Sequence, residues 1–224
     1  MINDEGLTYL KEHLNFWDKL NDKEKQLLIN NVSSVKYNKG ENLHGVDKNC
    51  VGHLLVKTGE LRVYILSEEG RDVTLYRLVP GDTCVLSASC VLNHISFDVM
   101  IDAEQETEVL LLNIGAFSKL KESNIHVENY AYKVAADRFS DIMWAMEQIL
   151  FTSFEKRLAV FLYDEMVKNK SNKINLTHEQ IARYVGSARE VVSRTLKNFE
   201  SQGILKLSRG KLSIIDKEKL RSLI

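Results

Sequence analysis

The sequence is short of proline, of cysteine and of unbroken apolar runs, and each shortage excludes something. Pro80 is the one proline in 224 residues. It opens the turn Pro80-Gly81-Asp82, and no internal repeat or low-complexity segment appears along the chain. Three cysteines, Cys50, Cys84 and Cys90, are too few and odd in number for a disulfide framework, which favours a reducing, cytoplasmic setting. No stretch approaches the roughly 18 apolar residues that a membrane span needs. The opening "MINDEGLTYLKEHLNF" has no basic segment followed by an apolar run, so no signal peptide is expected. Gly-x-Ser-x-Gly, a Gly-rich phosphate loop and His-Glu-x-x-His are all missing, and no metal-ligand spacing stands out, so no catalytic residue is assigned. Lysine and arginine are absent from the whole interval between Arg77 and Lys119. That interval holds Asp82, Asp98, Asp102, Glu104, Glu106 and Glu108.

What is present is an ordinary globular composition, 44% hydrophobic and 27% charged, with enough apolar residue to build a core without staples. The net charge of −1 hides a partition. Residues 152–224 carry 15 Lys+Arg against 8 Asp+Glu, and residues 1–151 carry 15 against 23. A basic tail on an acidic body points to a polyanionic partner for the tail.

The hydropathy pattern changes period twice. Residues 7–32 carry two short helical segments, the second capped at Asn21. From about 34 to 114 the pattern alternates. "VGHLLVKTGELRVYIL" predicts a hairpin about Thr58-Gly59-Glu60, and a second turn follows at Glu69-Gly70. The runs "FDVMIDA" and "TEVLLLNI" supply further strands. Short strands at this spacing predict an antiparallel β-barrel or jelly roll. The period then becomes helical. Tyr132, Ala135, Phe139, Ile142, Met146 and Ile149 step by 3 and 4 through residues 126–151, the seam of a coiled-coil-like helix that would pair with a second copy. The organisation expected is α+β in three parts: a β-rich domain over 1–125, a dimerisation helix over 126–151 and a small basic domain over 152–224.

The stretch "LTHEQIARYVGSAREVVSRTLKNFESQGILKLSRGKLSII" carries the function. Thr177 and Gln180 form a capping box that starts a helix with Ile181 and Val185 on its apolar face. Gly186 ends it. Ser187 and Glu190 read as a second capping box, with Val191, Leu196 and Phe199 facing the core. Two helices on a tight glycine turn make a helix-turn-helix, whose second helix enters the major groove of DNA. On that helix Ser187, Arg189, Glu190, Ser193 and Arg194 are the candidate base-reading residues, and Lys197 extends the face toward phosphates. Arginine can hold guanine O6 and N7 together, and glutamate accepts from cytosine N4. The turn "SRGK" sets Arg209 and Lys211 at the tip of a wing near the DNA backbone.

The run "SAREVVSRTLKNFESQGIL" resembles the recognition helix of the cyclic-AMP receptor protein/FNR family of bacterial transcription regulators. The family pattern Arg-Glu-x-x-(Ser/Gly)-Arg falls on Arg189, Glu190, Ser193 and Arg194. The resemblance extends along the chain: a cyclic-nucleotide-binding-like, cupin-like β-barrel, a long dimer helix and a winged helix-turn-helix. It implies a homodimeric, cytoplasmic activator that binds a palindromic DNA site and works with RNA polymerase. By resemblance, Arg189 and Glu190 read a G·C pair and Arg194 supports base and phosphate contacts. A TGTGA-like half-site follows; Ser193, found in the FNR branch, leaves a TTGA-like core open.

The family's nucleotide pocket uses Gly-Glu and Arg-Ser or Arg-Thr. Here "LSAS" stands where Gly-Glu should fall, and the cation-free interval leaves a cyclic phosphate uncompensated. Cyclic AMP is therefore not the expected effector. The FNR-type iron–sulfur cluster needs four thiolates, and the chain has three. Haem on His44, His53, His94, Cys84 or Cys90 stays open, as does a thiol switch between Cys84 and Cys90, or cysteine acting as a small core residue. Cys84, Leu86, Ser87, Ser89, Cys90 and His94 in and after "TCVLSASCV" are the candidate effector-facing residues. The reading from another function class is an effector-binding protein that regulates a protein partner.

Overall fold

The computed structural model describes residues 2–44, 52–70, 72–84 and 99–224. Their contacts divide the chain into two compact units, Met1–Leu66 with Leu75–Ile142, and Ser67–Thr74 with Met143–Ile224. Among the described residues no helix is long and apolar enough to cross a membrane.

The first unit opens with α1 (Asp4–His13), a 3-10 turn (Trp17–Lys19) and α2 (Asp22–Asn30). Asn21 caps α2: its side chain accepts from Glu24 N–H while the Glu24 carboxylate accepts from Asn21 N–H, so two otherwise unpaired helix-end donors are satisfied at once. Among the described residues eight strands follow: β1 (Val32–Tyr37), β2 (Asn42–His44), β3 (His53–Thr58), β4 (Leu61–Leu66), β5 (Asp72–Leu78), β6 (Thr83–Cys84), β7 (Met100–Ala103) and β8 (Thr107–Leu112). They form two four-stranded sheets, ordered β1-β8-β3-β6 and β2-β7-β4-β5. This is a jelly-roll-like arrangement rather than a closed barrel. Leu54, Val56, Leu61, Val63, Leu78 and Ile101, drawn from both sheets, meet in one core.

The expected hairpin at Thr58-Gly59-Glu60 is not one. β3 pairs with β8 and β6, and β4 pairs with β7, so the turn carries the chain from one sheet to the other. The reason lies at Gly59. Its φ is +86°, and a Cβ there would collide with the Thr107 hydroxyl and the Glu106 carbonyl. The same Thr107 hydroxyl accepts from Glu60 N–H at 3.1 Å. The corner is thus pressed against β8, and alternation of apolar residues cannot report that contact.

The second core of this unit lies on the outer face of the β1-β8-β3-β6 sheet. α3 (Ile114–Ser123) and the first half of α4 (Ile125–Phe151) cover it. Val127, Tyr130, Ala131 and Val134 form the inner stripe of α4, packed with Phe16, Phe117, Leu55 and Leu110. Ala135 and Ile142, placed on the seam by spacing, are half-buried and pack against the two cores of the first unit. The exposed stripe of α4 instead runs Tyr132, Ala136, Phe139, Met143, Met146 and Leu150. Ile149 lies at its margin, 37% exposed.

In the second unit, α5 (Phe154–Lys168) begins at the N-cap Ser153. Arg157 reaches back from α5, and its Nη1 donates to the carbonyls of Gln148, Ile149 and Thr152 at 3.2, 3.3 and 2.8 Å. The Gln148 carbonyl also accepts from Thr152 N–H at 3.2 Å. Arg157 adds a donor to carbonyls at the helix end, where intrahelical partners run out, and a cation there complements the helix dipole. Next come β9 (Lys173–Ile174), α6 (His178–Val185), α7 (Arg189–Ser201), β10 (Leu205–Ser208), β11 (Lys211–Ile214) and α8 (Lys217–Ser222). β10, β11 and β9 form an antiparallel sheet in that order. Leu158, Leu162, Ile181, Val192, Leu196 and Phe199 are the centre of a separate core.

Candidate nucleic-acid interface

The interface is built from two short helices and a hairpin. Thr177 starts α6: its hydroxyl accepts from Gln180 N–H at 3.2 Å, and the Gln180 side chain accepts from Thr177 N–H at 2.9 Å. The expected capping box is present. Gly186 ends α6 at φ +60°, ψ +54°, the left-handed conformation that costs glycine least.

The second expected box is absent. The N-cap of α7 is Ala188, which has no side-chain acceptor, and α7 starts at Arg189. Ser187 is used otherwise: its N–H donates to the Ala182 carbonyl at 3.0 Å and closes α6. The one-residue shift moves the buried face as well. Val192 is fully buried with Leu196 and Phe199, while Val191 is 37% exposed.

That rotation turns the charged residues outward together. Arg189, Glu190, Arg194 and Lys197 are exposed, and Ser187 and Ser193 are half-buried beside them. β10 and β11 pair through Ser208↔Lys211, so Arg209 and Gly210 form the two-residue tip, with Gly210 at φ +70°. Arg209 and Lys211 are exposed there. Among the described residues none of Arg189, Arg194, Lys197, Arg209 and Lys211 takes part in an ion pair. His178, which the motif reading passed over, lies in the field of this face. Its pKa is lowered by partial burial and then by the charges of Arg189 and Lys197. Its place beside Thr177 at the start of α6 was the available signal.

In the first unit the candidate effector residues are only partly visible. Leu86, Ser87, Ser89, Cys90 and His94 lie outside the described residues, as does Cys50. Cys84 is fully buried at the end of β6, 3.8 Å from the Tyr76 hydroxyl. Burial pushes the Tyr76 phenol well above its ordinary pKa. No lysine or arginine lies between Arg77 and Lys119 in the chain, but α4 brings a cation to Tyr76. The Arg138 guanidinium stands 5.0 Å from the Tyr76 ring centre and is paired with Asp141 at 2.7 Å and Asp82 at 3.9 Å. Two carboxylates thus already balance its charge. Arg62, on β4, is also buried, over the Tyr64 ring at 4.3 Å. Of the histidines considered for haem, His44 is buried on β2. His53 has its Nε2 engaged by the Tyr130 hydroxyl at 2.9 Å and stacks on Phe117.

Comparison with known proteins agrees with this geometry. The family model for the Crp-like helix-turn-helix domain matches residues 156–223. A crystal structure assigned to the Crp/Fnr family of transcriptional regulators, from Eubacterium rectale, is 42% identical, with a TM-score of 0.91. The match covers 95% of this chain and 98% of that one. The chain belongs to the Crp/Fnr family. Another relative of this Crp/Fnr chain is the fumarate and nitrate reduction regulatory protein of Yersinia pestis. It is 24% identical over 91% of this chain and 84% of its own length. The cAMP-activated global regulator Vfr of Pseudomonas aeruginosa is 26% identical over 51% of this chain and 56% of its own. These relatives are transcription regulators, and this Crp/Fnr chain is a regulator with a helix-turn-helix DNA-binding domain rather than an enzyme.

Proposed function

We propose that this regulator binds a palindromic promoter site as a homodimer, in the cytoplasm, and responds to an effector other than cyclic AMP. One observation carries the DNA reading: the cations of α7 and the wing are exposed and make no ion pair among the described residues, and Glu190 is exposed beside them on α7. Ionic groups left without partners fit a polyanion that will neutralise them and release its counterions. Arg189 and Glu190 take a G·C pair, Ser187, Ser193 and Arg194 the neighbouring positions, and Thr177, Lys197, Arg209 and Lys211 the phosphates.

The dimer reading is supported by the exposed stripe from Tyr132 to Leu150, which is about 27 Å long at 1.5 Å per residue. An apolar stripe of this length at heptad spacing suits a second copy of the same helix. Two recognition helices related by a two-fold axis would meet half-sites about 34 Å apart. RNA polymerase is the further partner that family membership suggests.

The effector reading is supported by charge. A cyclic phosphate needs a free cation, and Arg138, which stands over Tyr76, is held by Asp141 and Asp82. The effector is thus an uncharged or weakly charged molecule, with haem and thiol chemistry at Cys84 and Cys90 as the alternatives. Calorimetry that found low-micromolar cyclic AMP binding would overturn this part.

The deciding experiment is a gel shift with the protein's own upstream promoter. Arg189→Ala should lose specific retardation, by about 5- to 150-fold in affinity (about 1–3 kcal/mol for a bidentate base contact), and keep salt-sensitive nonspecific binding. Unchanged specific retardation would remove α7 from the recognition role.

A further inference from the structure

The DNA-binding unit holds a cleft away from its recognition helix. It lies between the C-terminal end of α5 and α8, has a volume of about 380 Å³, and takes no lining residue from α6, α7 or the wing. Met166, 6% exposed, and the half-buried Tyr163 supply its apolar wall. Lys170, Lys217 and Arg221 stand exposed around it, against the one carboxylate of Glu218. Among the described residues none of these four charged groups takes part in an ion pair.

Two of these cations are kept in place at a cost to the fold. α5 ends with Ser171 N–H donating to the Met166 carbonyl and Lys170 N–H to the Val167 carbonyl, both at 3.1 Å. This closure puts the residue after the helix cap in the left-handed conformation, which glycine adopts most readily. α6 meets the demand with Gly186. α5 meets it with Lys170 at φ +48°, and among the described residues no other residue except glycine has a positive φ. Backbone strain of this kind gathers at ligand sites. On α8, Lys217 and Arg221 are four residues apart, so like charges share one side of the helix and weaken it. Leu220, fully buried in the core of the unit, anchors that helix. An anion seated in the cleft gives these cations the partner that the chain does not supply.

We propose that the cleft between α5 and α8 is a binding site for a small organic anion. Lys170, Lys217 and Arg221 hold its phosphate or carboxylate groups, and its apolar body lies on Met166 and Tyr163. The volume is that of a small-ligand pocket, and three cations against one carboxylate suit a dianion. The ligand is distinct from the effector of the first unit. The site stands whether or not α7 reads DNA.

Calorimetry on the full-length protein tests this with phenyl phosphate, phthalate and inorganic phosphate. Phenyl phosphate or phthalate should bind with a Kd below about 1 mM, and the tighter of the two names the head group. Inorganic phosphate lacks the apolar body and should bind about tenfold more weakly. Lys170→Gly and Arg221→Gln should each weaken the organic anion by about fivefold or more. Glycine suits the left-handed turn, so Lys170→Gly should keep the wild-type thermal midpoint or raise it, which separates loss of ligand from loss of fold. The site is overturned if neither organic anion binds in that range, if both variants bind as wild type does, or if inorganic phosphate binds equally well. A hexaglutamate peptide bound more tightly than either small anion would overturn it in favour of an acidic protein partner. A fall of about one per substitution in the salt slope of promoter binding would overturn it in favour of DNA phosphates.

Discussion

The two units treat charge in opposite ways. The sensor unit turns its ionic groups on one another: Lys57 sits between Glu5 and Glu108 at 2.9 and 3.2 Å, Arg77 pairs with Glu60 at 3.2 Å, and Arg138 with Asp141 at 2.7 Å. The face built on α7 and the wing leaves its cations exposed and unpaired. The difference separates two kinds of recognition. A surface that meets a polyanion gains from charges held in reserve. A domain that must close around itself neutralises them, because an unpaired buried charge costs several kcal/mol.

The strongest way to break this contrast is to put a charge where the chain keeps an apolar face uncharged. Phe139→Glu, in the exposed stripe of α4, should cost the proposed dimer about 3–5 kcal/mol, the cost of burying an unpaired charge. Light scattering should then give the mass of one 25.7 kDa chain instead of two. An unchanged dimer would place the seam elsewhere.

Next in size is acid sensitivity of the sensor unit. Burial pushes the His53 pKa down to about 4, against about 6.5 in an unfolded chain. A depressed histidine must stay neutral in the fold. Its contribution is complete above pH 6.5 and is lost as pH falls from 6.5 toward 4, to a total of about 3 kcal/mol. Urea midpoints measured between pH 7 and 4.5 should fall in wild type and flatten in His53→Leu over that window.

Gly59→Ala should cost about 1–3 kcal/mol, from a strained positive φ and the collision with β8. Thermal unfolding would show it, and a neutral result would restore the hairpin reading of that corner. The smallest effect is expected at the wing. Lys211→Ala should weaken all DNA sequences about equally and lower the salt slope by about one. A sequence-dependent loss would move Lys211 from phosphate contact to base reading.

What could be read in advance follows the same division. In the DNA-binding unit the decisive signals are local. Thr177 and Gln180 are three residues apart, Gly186 follows directly, and Ser208 meets Lys211 across a two-residue turn. The error there was equally local: a serine in the right place was used to close α6 instead of opening α7. In the sensor unit Val32 pairs with Leu112, and alternating apolar residues reveal that a strand exists without naming its neighbour. Arg138 was missed for the same reason, since it approaches Tyr76 from a helix 62 positions later in the chain. On α4 the 3-4 spacing found the helix, but two seam positions belong to the sensor cores. A periodicity marks a stripe and does not say which of two adjoining surfaces will cover its edge.

The pairing of β1 with β8 also bears on how the protein is made. Among the described residues, 32–37 have no ladder partner until residues 107–112 exist. At about 5–20 residues per second, β1 waits on order of 4–15 s with both edges open, whereas β10 and β11 are made almost together. Open strand edges invite foreign pairing. The newborn first unit is therefore most vulnerable to misassembly while residues 38–106 are being synthesised; in the DNA-binding unit the two-residue β9 waits for β11 about half as long.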